Sequence, residues 1–157
     1  MLLQAALLFT LLGCVVTPQF DQAVRDGAIQ LKADTLALVD KSGSRYATQQ
    51  AAVDALLARY AKAADDASKI ENNKLVIGAW QVIRGESSGS AGEFFAMWKR
   101  NGTIRPAFRT EKRAQLARHF DYLVCLEDLK QGGQKDCPNP LAPPAAAPAA
   151  TESEGGQ

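Results

Sequence analysis

A single histidine, His119, limits the acid–base chemistry open to this chain of 157 residues. Imidazole is the side chain best placed to exchange a proton near neutral pH. His119 stands one residue before Phe120 in a stretch of helical apolar spacing, which makes it a hydrogen-bonded interfacial histidine rather than a general base. The serines that could act as nucleophiles, Ser87, Ser88 and Ser90, lie in a Gly/Ser-rich connection with no Gly-x-Ser-x-Gly elbow and no Gly-Lys-Ser/Thr phosphate cradle. Asp65 and Asp66 are sequence neighbours, so on a helix they point about 100° apart and read as a solvated pair. His119 and Met97 could in principle hold a haem in a helical bundle, but no Cys-x-x-Cys-His attachment is present. One histidine and scattered acids form no recognisable metal spacing. No catalytic residue, metal or cofactor is expected.

Cysteine offers the second chemistry. A largely apolar run over residues 2–13 ends in Leu11-Leu12-Gly13-Cys14. As a helix it would measure about 18 Å, short of a hydrocarbon core of roughly 30 Å, and it suits the core of an export signal. The four residues resemble the lipobox of bacterial lipoproteins. The resemblance implies that residues 1–13 are removed, that Cys14 receives diacylglycerol and becomes the new N-terminus, and that residues 14–16 tether the fold close to a membrane. Val15 after that cysteine is similar to the sorting pattern of outer-membrane lipoproteins, which implies a place in the cell envelope, at the outer membrane facing the periplasm. With Cys14 spent on lipid, Cys125 and Cys137 remain as a pair in an oxidising compartment. A disulfide between them would tie the end of a helix to the segment after Gly132-Gly133, worth roughly 3 kcal/mol in the chain-entropy view.

The elements that position these residues read as helices throughout. Phe20, Val24, Leu31 and Leu38 share one face, flanked by Ala28 and Thr35, with Thr17-Pro18 as a start and Ser42-Gly43 as a stop. A second helix from about Tyr46 carries Val53, Leu57, Tyr60, Ala64 and Ala67 and breaks at Asn72-Asn73. The apolar run over residues 75–83 fits strand or helix by pattern. A buried third helix is expected, because a lone strand would lack a partner. A flexible loop over residues 85–92 leads to a short helix over residues 93–100, whose Phe94, Phe95, Met97 and Trp98 suit a lid over the bundle end. A last helix over residues 106–130 buries Leu116, Phe120, Leu123 and Leu126 and stops at Gly132. The sum is an all-α, up-and-down bundle of about four helices plus one short one, over residues 17–137. Residues 138–157 form an Ala/Pro-rich tail of disordered composition.

Charge is uneven in one place. Residues 99–118 hold Lys99, Arg100, Arg105, Arg109, Lys112, Arg113 and Arg118 against Glu111 alone. Arg105, Arg109, Lys112 and Arg113 share an arc with Leu116, Phe120 and Leu123. Because a buried row of four cations is untenable, either this helix start projects into water or acids such as Asp65 and Asp66 meet it. Exposed, the four would bind anions: phospholipid head groups, lipopolysaccharide phosphates or an acidic envelope protein. Nucleic acid fits the charge but not an exported location, and the aromatics lie beside the cations rather than among them.

The expectation is a membrane-anchored envelope lipoprotein, a non-catalytic structural or interaction module. The alternative is a ligand-binding or inhibitory module, of the kind a phage could carry, that uses the basic face. A hydrolase of unknown type ranks below both.

Overall fold

Helical periodicity governs the described part of this chain. A computed structural model describes residues 18–86, 89–132, 136–138 and 140, and these fold into five α-helices with no strand among them. The signal segment 1–13, Cys14 and its tether, Ser87, Ser88 and the tail from 141 lie outside the described residues.

The first helix, α1, spans Gln22–Lys41 and begins later than the sequence suggests. Pro18 is not helical; instead Asp21, in extended conformation, accepts from the N–H groups of Ala23 and Val24 and satisfies the orphan donors of the first turn. A 3-10 turn over Tyr46–Thr48 leads into α2, Gln50–Ser68. Leu56 rather than Leu57 is fully buried there, beside Val53, Tyr60 and Ala67. Asn72, at φ 60°, turns the chain, and the Asn73 amide donates to Ala67 O at 2.9 Å, closing the end of α2.

The ambiguous segment is helical: α3 runs Lys74–Arg84 and buries Val76, Ala79, Trp80 and Ile83 at the period expected of one helix face. The short helix α4, Ala91–Asn101, starts two residues before the expected position. Ser90 is its N-cap, accepting from Glu93 N, while the Glu93 carboxylate accepts from Gly89 N. The two bonds make a variant of the capping box in which the carboxylate reaches the residue before the cap, and Ser90 is buried in it rather than displayed on a loop. The last helix, α5, spans Pro106–Leu129 with Pro at its first position.

Side-chain pairs fix the topology. Arg25–Asp128, Lys32–Asp121 and Asp40–Arg113 run in opposite directions along α1 and α5, making that pair antiparallel. Tyr60 meets Trp80 across α2 and α3, and Trp80 meets Phe120 across α3 and α5. The helices α1, α2, α3 and α5 therefore close a ring around Tyr60, Trp80, Leu116, Phe120 and Leu123, and full burial of each large side chain contributes roughly 1.5–3 kcal/mol. Because α3 has 11 residues against 24 in α5, its upper half is missing, and α4 fills the gap with Phe94, Phe95 and Trp98 as the expected lid. Among the described residues no helix is long and apolar enough to cross a membrane.

Candidate functional site

The basic start of α5 splits into three environments. Lys112 is buried; its ammonium lies 3.1 Å from Gln115 Oε1, 3.7 Å from Glu93 Oε2 and 5.3 Å from the centre of the Phe108 ring. One of the four cations is thus interior, held by a carboxylate and an aromatic face. Arg113 donates through Nε to both carboxylate oxygens of Asp40 on α1, at 3.0 and 3.2 Å. The acids that meet this stretch are therefore Asp40 and Glu93. Asp65 and Asp66 pair instead with Lys69 and Lys62 within α2 and its cap, and the hydrogen bonds from Lys62 and Lys69 lower the Asp66 pKa.

Exposed Arg105 and half-buried Arg109 make no ion pair with any described residue. The Arg109 guanidinium lies in the space that a Cβ on Gly43 would occupy, just beyond the last turn of α1. Carbonyls at a helix C-terminus carry partial negative charge, which favours a cation there. Two backbone hydrogen bonds, Ile104 N to Ser42 O and Tyr46 N to Gly102 O, both 2.8 Å, clip the loop after α1 to the loop before α5. They bring exposed Lys41 and Arg45 to the end that holds Arg105. Neither was visible from the sequence as part of the patch, because no local pattern announces the pairing of two loops so far apart in the chain. The capping box at Ser90 and Glu93, by contrast, does have a readable Ser-x-x-Glu signature.

Cys125 and Cys137 are joined, S–S 2.11 Å, tying α5 to the segment that follows it. That segment continues to Pro140, which lies against α3 in a groove with Lys74, Leu75, Gly78, Ala79, Val82, His119 and Tyr122. His119 is buried as expected, but it is not hydrogen-bonded: neither ring nitrogen has a partner among the described residues. Burial lowers its pKa first, and the charges of Arg118 and Lys112 lower it further, so the ring is neutral at pH 7. At the other end of α5 a second buried ion pair joins Lys130 to Glu127 at 2.8 Å. Burial raises the Glu127 pKa against the opposing pull of Lys130.

The two ends of the bundle are chemically distinct. Pro18, Asn73, Leu129 and Gly132 surround one groove, so the chain enters the fold where α5 finishes. Lys41, Arg45, Arg105 and Arg109, with no ion pair among the described residues, lie at the opposite end, whereas Lys74 alone of such cations marks the entry groove, and α5, with its 24 residues, spans about 36 Å between the two ends.

No protein family, curated protein or solved structure matches this chain.

Proposed function

We propose that this protein is a lipid-anchored, non-catalytic interaction module of the bacterial envelope, tethered through Cys14 and presenting Arg105 and Arg109 to an anionic partner. The observation that supports the reading is the polarity of the bundle. The chain enters at Pro18, a few residues from Cys14, while a cluster of cations without ion pairs among the described residues, Lys41, Arg45, Arg105 and Arg109, sits at the other end, about 36 Å along α5. An anchor at Cys14 would hold the basic end away from its own bilayer, by more than three Debye lengths at physiological salt. The head groups of the anchoring membrane are then a poor target. An acidic envelope protein or the phosphates of another layer is the better one. Diacylglycerol plus an amide-linked acyl chain would supply the two or more chains that stable attachment requires.

The test uses the full chain in a bacterium, with a photo-crosslinking amino acid at exposed position 103, beside the two arginines, and, as control, at position 26 near the entry end. Membrane extracts should yield a chain beginning at Cys14 with acyl mass added. Adducts should form from position 103, disappear with Arg109→Glu, and be absent from position 26. An unlipidated full-length chain, or adducts equal at both positions, would overturn the proposal.

A further inference from the structure

A different part of the molecule, independent of the basic end, carries the features of a small-molecule site. Between α3 and α5 lies a groove of about 290 Å³, walled by Leu75, Ala79, Val82, Tyr122 and Pro140. His119 lines it at 2% exposure, with both ring nitrogens lacking a partner among the described residues, whereas buried polar groups are otherwise nearly always satisfied. Gly78 lines it too. Glycine in the middle of a helix is unfavourable relative to alanine, and it is normally tolerated where a neighbour approaches closely. Here a Cβ would meet nothing within 4 Å, so the missing side chain leaves open space rather than permitting a contact. Pro140 is held in the wall three residues beyond the Cys125–Cys137 bridge, so that part of the groove is formed before anything enters it.

We infer that this groove binds a small apolar molecule bearing a hydroxyl group, an alcohol or a phenol, whose oxygen hydrogen-bonds a ring nitrogen of His119. The walls select an apolar body. A neutral imidazole offers a donor on one nitrogen and an acceptor on the other, and a hydroxyl, which both donates and accepts, can pair with either. Lys74 is the only charged residue among the described residues of the lining, which disfavours a cationic ligand.

His119 is the only histidine, so labelling the full chain with 15N-histidine gives a single imidazole to follow. With the chain in lipid nanodiscs, the probe is 2-naphthol and the control is naphthalene, which has the same rings without the hydroxyl. 2-Naphthol should move the His119 ring nitrogen resonance saturably, with naphthalene at least about tenfold weaker. Gly78→Leu should abolish the shift while leaving helicity intact, since leucine favours helix and the space it enters is empty. His119→Phe removes the labelled ring, so its binding is read by equilibrium dialysis, in which 2-naphthol should weaken to the level of naphthalene. Three results would each overturn the inference: no saturable shift with rapid exchange of the ring N–H, which means that water satisfies His119; equal binding of the two probes; or undiminished binding in Gly78→Leu.

Discussion

Single side chains in this protein depart from sequence expectation where burial and charge compete. Lys112, Lys130, Glu127 and His119 are all buried polar groups, and each solves the problem differently. The two lysines keep a carboxylate nearby, and Lys112 adds an aromatic face. His119 sheds its charge instead, and this has a consequence for stability. Its folded pKa lies below the ordinary 6.5, so between the two values the unfolded chain binds more protons than the native one. Stability from this group is therefore complete above pH 6.5 and declines as pH falls toward the folded pKa. Glu127 acts with the opposite sign, because its raised pKa makes the native state the better proton binder just above 4.5. Urea midpoints measured from pH 7.5 to 5 should thus fall more in the native protein than in His119→Gln, and parallel curves would show that the imidazole does not titrate differently on folding. The lesson for sequence reading is local. Periodicity places His119 and the cations on a face, but which of Arg105, Arg109, Lys112 and Arg113 goes inside depends on Glu93 and Asp40, which arrive from other helices.

Elements were more legible than their contacts. The apolar period alone locates α2 and α5, α3 needs the further argument that a lone strand would lack a partner, and the Asn72-Asn73 break falls where expected because an asparagine can take the positive φ that ends a helix. The start of α1 was missed because Asp21 outcompetes Thr17-Pro18 as a cap, and that of α4 because Ser90-Ala91-Gly92-Glu93 looks like loop by composition. The second of these starts is also closely packed against backbone. A Cβ on Gly92 would run into the carbonyl oxygens of Arg84 and Gly85, backbone atoms at the end of α3 that cannot swing aside. Gly92→Ala should therefore destabilise the protein by roughly 1–3 kcal/mol despite alanine's higher helix propensity. Gly78→Ala, with open space around it, should stabilise by up to about 1 kcal/mol. Thermal melts of the two variants side by side would check the pair, and equal effects would mean that the junction of α3 and α4 can relax.

At the scale of the whole molecule, both ends of the described chain leave from the same side. Pro18 borders Leu129 and Gly132, and Pro140 lies against the first turns of α3. Force applied between a membrane anchor and a partner holding the tail would not shear α1 along α5. It would peel them apart as a zipper opens, from Arg25–Asp128 through Lys32–Asp121 to Asp40–Arg113, one rung bearing the load at a time. The Cys125–Cys137 bridge would pass the tension directly into α5 and leave residues 126–136 slack. Single-molecule extension from positions 18 and 140 should accordingly open the bundle at markedly lower force than extension from 18 and 105, which loads α1 and α5 lengthwise. Equal forces would mean that the rungs do not separate in sequence. Opened this way, the bundle is a mechanical fuse: it holds its shape under thermal agitation and yields first at its own base when the two ends of its tether are pulled apart.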